Sequence, residues 1–156
     1  MSSDPPAFEL PLRLFGGFRV LIDALHAELA RQGHPDVRPM HGFVFQAVGS
    51  AGTTATELGR RLGISKQAAA KTIKGLERLG YLKRGVDPRD SRRKTVQLTD
   101  RGSDCLQRSA QIFVDLHAGW AKTIGRQRLR ELEEDLIKVT PPEVFRLDMP
   151  GWFGGG

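Results

Sequence analysis

With a single cysteine, Cys105, among its 156 residues, the chain can form no internal disulfide, so the fold must stand on its own apolar core. Cysteine usage of this kind suits a reducing compartment, and a cytoplasmic protein is expected. No apolar stretch is long and pure enough to cross a bilayer. The longest uncharged run, residues 39–56, is interrupted by Gln46, Ser50 and several Gly and Thr. The opening "MSSDPPAFEL" has no basic segment followed by an apolar one, so no secretory signal is visible. Catalytic signatures are missing too. There is no G-x-S-x-G, no P-loop and no paired-carboxylate arrangement, so no enzyme is expected and no cofactor is implied. Internal repeats are absent, and the only low-complexity tract is the run of final glycines.

What is present is positive charge, concentrated in one place. Residues 53–99 hold twelve Lys or Arg against four acids, a surplus of +8, whereas the rest of the chain sums to −2. Such a block is the footprint of a polyanion-binding module flanked by segments with another task. An anionic membrane would also attract it, but that needs an amphipathic helix with large exposed apolar residues, which the block does not offer.

Around the block the pattern is helical. Leu14, Phe18, Leu21, Leu25 and Leu29 form a helical stripe within residues 9–32, broken by "GHPD" at 33–36. Pro39 can open a second helix, which "GSAG" at 49–52 ends. Thr56 is expected to cap a short helix from Glu57 to Leu62. Ser65 should cap a longer one that runs to Leu79 and stops at Gly80. "YLKRGV" and "KTVQL" read as two strands joined by a charged loop, with Val96 and Leu98 on one face. Thr99 then caps a long helix carrying Leu106, Ala110, Phe113, Leu116, Trp120 and Ile124. After "GRQR" a last helix carries Leu129, Leu132, Leu136 and Val139. The expected class is mainly α with a small β-hairpin wing.

The stretch "TATELGRRLGISKQAAAKTIKGLERLGYLKRG" is helix, Gly-containing turn, helix: the helix-turn-helix signature, whose second helix enters the DNA major groove. On that second helix Ala69, Thr72, Ile73, Leu76 and Leu79 share one side, while Gln67, Lys71, Lys74 and Arg78 share the other. Gln reads adenine bidentately and Lys reaches guanine or phosphate. Ser65 and Lys66, at the helix start, are candidate phosphate contacts. Cations on one helix face often do no more than solubilise it. Here the turn spacing, the +8 block and a basic hairpin directly after the helix together point to DNA. In that hairpin, "DPRDSRRKTVQLTDRG", Arg92 is the candidate for minor-groove insertion, with Asp90 paired beside it to hold the guanidinium extended. Arg89, Arg93 and Lys94 read as phosphate contacts.

At these residues the chain resembles the multiple-antibiotic-resistance regulator (MarR) family of winged helix-turn-helix transcription factors. The resemblance rests on "TELGRRLGIS", on the recognition helix leading into "LGYLKR", and above all on the wing, where the family's pattern falls on Asp90, Arg92, Leu98, Thr99 and Gly102. It covers residues 53–102, with agreement of helix pattern alone over 9–50 and 103–140. It implies a homodimer built by helices in residues 8–33 and 100–140 and a winged helix-turn-helix DNA-binding region over 39–99; the tail over 141–156 is too rich in Pro and Gly for regular structure. The resemblance further implies a repressor on a pseudo-palindromic operator, released by a small aromatic or phenolic effector in a cleft between the first, second and fifth helices. Candidate lining residues are Phe18, His26, His41, Phe45, Phe113, His117 and Trp120, with Phe15 and Phe43 nearby; the tail's Trp152 and Phe153 are alternative occupants. The Ala68–Ala70 run departs from a helix rich in hydrogen-bonding groups and shifts specificity towards methyl contacts, Gln67 and DNA shape.

Some family members sense zinc through a His at the position of His41, but matching Cys and Glu ligands are missing, so no metal is expected. Cys105 reads as a buried structural thiol rather than an oxidation switch. The alternative function is a winged-helix module whose basic face serves protein or RNA partners without an effector. Palindromic duplex DNA at moderate salt separates the two.

Overall fold

The computed structural model describes residues 4–142; the tail aromatics Phe145, Trp152 and Phe153 lie outside them. Among the described residues six helices and one hairpin follow in the order α1 (Glu9–Arg31), α2 (Pro39–Val48), α3 (Ala55–Leu62), α4 (Lys66–Arg78), β1 (Leu82–Asp87), β2 (Asp90–Leu98), α5 (Asp100–Ile124) and α6 (Arg126–Val139). No described helix is long and apolar enough to cross a membrane.

Polar caps begin three of the helices. Thr54 accepts the Glu57 N–H at 3.2 Å, Ser65 the Ala68 N–H at 3.0 Å, and Thr99 the Gly102 N–H at 3.1 Å. The cap of α3 is thus Thr54, not the expected Thr56. Thr53, Thr54 and Thr56 are chemically equivalent candidates, and tertiary pairing chooses among them: Thr53 is held in an isolated antiparallel bridge with Val96, which leaves its neighbour to turn the chain. Both bonds of that bridge form, Thr53 N–H to the Val96 carbonyl at 2.9 Å and the reverse at 2.6 Å. They fasten the base of the wing to the entry of the helix-turn-helix.

Two glycines are required by close approach. A side chain at Gly59 would meet the Ile64 carbonyl oxygen at 2.9 Å, because the turn after α3 folds back over that helix. At Gly102 a Cβ would lie 2.3 Å from the Tyr81 carbonyl oxygen, where the first turn of α5 rides against the junction of α4 and β1.

The core gathers Leu25 and Leu29 of α1, Val44, Phe45 and Val48 of α2, Leu58 and Leu62 of α3, and Ile73 and Leu76 of α4 around Tyr81, Val96 and Cys105. Phe45 and Tyr81 stack tilted, with ring centroids 5.4 Å apart. Ala69, Ile73 and Leu76 are fully buried, as their helical phase predicts. The apolar stripe of α1 is buried only in its C-terminal half. Phe8, Leu10, Leu12 and Phe15 stand exposed, as do Ile137 and Val139 at the end of α6.

The hairpin differs from expectation. β2 begins at Asp90, so the segment read as a charged loop is strand, and only Pro88 and Arg89 remain as the turn. Both faces of the strand tip are exposed, so it carries no apolar–polar alternation, and the ladder bonds alone define it. Its register aligns Leu82 with Leu98 and Val86 with Lys94, and shifts between Val86 and Asp87.

Candidate nucleic-acid interface

Burying Ala69, Ile73 and Leu76 turns the opposite face of α4 to solvent. Ser65, Lys66, Gln67, Lys71, Lys74 and Arg78 are all exposed on this helix and its cap. Ser65 spends an oxygen lone pair on the Ala68 N–H but keeps its hydroxyl hydrogen to donate. Thr72, on the flank, donates its hydroxyl back to the Ala68 carbonyl at 3.1 Å.

The four acids of the basic block are all engaged. Glu57 accepts Arg60 at 2.5 Å and Arg61 at 3.3 Å; the hydrogen bond from Arg60 is the main reason its carboxyl sits below the usual carboxylate range. Glu77 of α4 takes Arg84 of β1 at 2.6 Å, a pair that spans recognition helix and wing. Asp87 lies 3.9 Å from Arg93 and also accepts the Arg89 N–H at 2.9 Å. Asp90 accepts the backbone N–H of Arg92 at 3.0 Å. The expected side-by-side pairing of Asp90 with the Arg92 guanidinium is therefore corrected: two residues apart, the carboxylate reaches the nearer amide and closes a turn with it. Of the twelve cations Arg60, Arg61, Arg84 and Arg93 are paired, which leaves Lys66, Lys71, Lys74, Arg78, Lys83, Arg89, Arg92 and Lys94 without an ion pair among the described residues. Lys83 on β1 was not singled out from the sequence. Only its exposed position on the wing groups it with the others.

The aromatic candidates divide. His26, Phe45 and Phe113 line a cavity of ≈ 50 Å³ between α1, α2 and α5, together with Phe43, Ser109 and Cys105. Burial pushes the Cys105 thiol up to about 11, against a hydrogen bond from Ser109 that acts the other way. Phe18, His41, His117 and Trp120 are not on that cavity. His41 accepts the Arg38 N–H through Nδ1 at 3.0 Å at the start of α2, and its pKa is lowered by burial and then by the Arg38 charge. His117 joins α5 to α6 through Glu133 at 2.9 Å. Trp120 lies over Gly17 of α1, where an added Cβ would be 3.2 Å from its ring.

A second polar cluster, unremarked in the sequence, sits under the α4–β1 junction. His34, only 4% exposed, contacts the Tyr81 hydroxyl through Nδ1 at 3.0 Å and Asp104 of α5 through Nε2 at 2.8 Å. The Tyr81 hydroxyl donates to Asp36 at 2.6 Å.

Comparison with known proteins gives the same frame. Residues 36–93 match a family model described as MarR family. Among solved structures, Streptococcus pneumoniae FabT in complex with DNA superposes with a TM-score of 0.73 at 15% identity, over 85% of this chain and 94% of that one. The apo form of wild-type MarR from E. coli gives 0.64 at 23% identity, over 89% and 100%. At these identities the likeness is one of fold. The LexA repressor of Deinococcus radiodurans is 32% identical over 87 residues, 54% of this chain but only 40% of that protein's length.

Proposed function

We propose that this chain is a winged helix-turn-helix regulator of the MarR family, whose model it matches over residues 36–93, and that it binds double-stranded DNA sequence-specifically as a homodimer. In this reading α4 enters the major groove, with Gln67 towards base edges and Ser65, Lys66, Lys71, Lys74 and Arg78 towards phosphates. The wing follows the backbone through Arg89, Arg93 and Lys94, and Arg92 enters the adjacent minor groove.

One observation carries it. The carboxylates of the basic block are used up on four arginines and on wing-tip amides, while eight cations on α4 and the wing have no ion pair among the described residues. A surface that only needed solubility would gain nothing by segregating paired from unpaired charge; phosphates supply the missing counterions. The exposed apolar ends of α1 and α6 support a second copy as the other partner, and dimerisation through residues 8–33 and 100–140 follows. Selection of duplexes by the purified protein, followed by anisotropy titration at several salt concentrations, tests the reading. An inverted repeat bound with a steep salt slope is expected. Equal affinity for every duplex, or preference for RNA, sinks it.

We propose in addition that repression is relieved by an aromatic effector between α1, α2 and α5. At ≈ 50 Å³ the cavity is smaller than the roughly 150 Å³ that admits a benzene, so the effector must widen it. His26 and Ser109 are the polar groups at hand to orient it. Thermal shift and operator competition with salicylate-like phenolics test this. If none binds, the regulator works without one.

A further inference from the structure

The cluster beneath Tyr81 has a hydrogen count that fixes its chemistry. Three contacts must each contain one hydrogen: His34 Nε2 to Asp104 at 2.8 Å, His34 Nδ1 to the Tyr81 oxygen at 3.0 Å, and the Tyr81 oxygen to Asp36 at 2.6 Å. The Tyr81 hydroxyl owns one hydrogen, and a neutral imidazole owns one more. That makes two hydrogens for three contacts.

The carboxylates do not supply the third. Asp104 is held below the usual carboxylate range by its hydrogen bond from His34 and then by Arg108. Asp36 is likewise held low: burial opposes ionisation, but the Tyr81 hydroxyl and Arg101 outweigh it. Burial and Asp36 push the Tyr81 phenol up, so it keeps its hydrogen. The remaining source is the ring of His34.

We propose that His34 is a positioning residue for DNA binding, carrying a hydrogen on both ring nitrogens and, in that form, clamping the α4–β1 junction to the dimerisation helix α5. This rests on the DNA-binding reading above. Each end of the clamp is anchored. Asp104 is shared with Arg108 at 2.8 Å, and Arg108 continues to Gln32 of α1 at 3.1 Å. The Arg101 guanidinium lies 4.6 Å over the Tyr81 ring and 3.3 Å from Asp36. The charged groups around His34 are thus Asp104, Arg108 and Arg101 from α5, Asp36 from the α1–α2 loop, and Glu28 of α1 reached through Gln32. Tyr81 itself closes the end of the recognition helix, its N–H on the Leu76 carbonyl at 2.9 Å, and takes the Thr99 N–H at 3.0 Å. When His34 gives up a proton, the Tyr81 hydroxyl can bond to the ring or to Asp36 but not to both. One link between α4 and the dimer frame then opens.

The test uses the full-length dimer with ¹⁵N-labelled histidine and the duplex selected for the wild type. At the pH of tightest binding, both His34 ring nitrogens are expected to show a directly bonded proton. Across a titration run upward from the pH of tightest binding, loss of one ring proton should accompany a fall in operator affinity of roughly tenfold, the scale of one hydrogen bond to a charged group. His34→Gln, which has no proton to lose in that titration, should bind with a flat pH profile. Tyr81→Phe, which keeps the ring but not the hydroxyl, should flatten it as well while remaining a helical dimer. A bare ring nitrogen at the pH of tightest binding overturns the proposal, and so does a wild-type pH profile in Tyr81→Phe. Failure of the wild type to bind any duplex rejects the DNA reading and the clamp's role in it, while the ring-nitrogen signals still report the proton count.

Discussion

Glu57, Glu77, Asp87 and Asp90 sort the cations around them, and each single substitution should show which group a residue belongs to. Arg92→Ala removes an unpaired guanidinium assigned to the minor groove. It should weaken operator binding by ~1–3 kcal/mol, most on A·T-rich flanks. Arg60→Ala, already neutralised by Glu57, should change affinity little in the same anisotropy titration. Lys71→Ala combined with Lys74→Ala should flatten the salt dependence by roughly two units of log–log slope per substitution in the dimer. Gln67→Ala should leave that slope alone and relax preference at one base position. His41 gives a different kind of prediction. Its folded pKa lies below the ordinary value near 6.5, so the fold favours the neutral ring; that contribution is whole above about pH 6.5 and is lost as the pH falls. Protonation also removes the acceptor that Nδ1 offers to the Arg38 N–H. His41→Gln keeps an acceptor three residues into the cap but does not titrate. It should melt near the wild-type temperature at pH 7.5 and lose less stability by pH 5.5, as read by circular dichroism.

Elements were legible where two signals coincided and illegible where only one was available. α4 could be read because its apolar phase, its Ser65 cap and its stop at Gly80 agree. α3 ends at Leu62 as expected but begins at Ala55 rather than Glu57, because three threonines compete for its cap and only the bridge at Thr53 decides. The start of β2 escaped because a strand solvated on both faces writes no pattern into the sequence. Of the seven residues offered for the effector site, three line the cavity. Helical spacing brings Phe18, His117 and Trp120 to the right helices but cannot say at which height along them the cavity opens. The Gly102 of the wing motif was recognised by resemblance, and its physical reason is now explicit. Gly102→Ala forces a methyl into the Tyr81 carbonyl and should cost about 1–3 kcal/mol or more in urea unfolding, with an unchanged m-value. A wild-type midpoint would mean that the α5 entry relaxes away from Tyr81.

For the whole molecule, the proposed dimer would cover the exposed apolar ends of α1 and α6 and so tie folding to concentration. Mass action predicts a melting temperature that falls on dilution and rises again when operator is added. Light scattering should give twice the chain mass, and footprinting an inverted repeat with half-sites about 34–36 Å apart. Protection of one unrepeated half-site by a monomer would reject the dimer. The Thr53–Val96 bridge carries a consequence for folding order. It joins positions far apart in the sequence, whereas the outer hairpin pairs neighbours across a two-residue turn. The amide protons of Thr53 and Val96 should therefore exchange with solvent only when the whole domain opens, while those near Val86 and Lys94 exchange by local fraying orders of magnitude sooner. In deuterated solvent the wing should thus behave as two objects: a root as slow as the core, and a tip loose enough to adapt to whatever groove it meets.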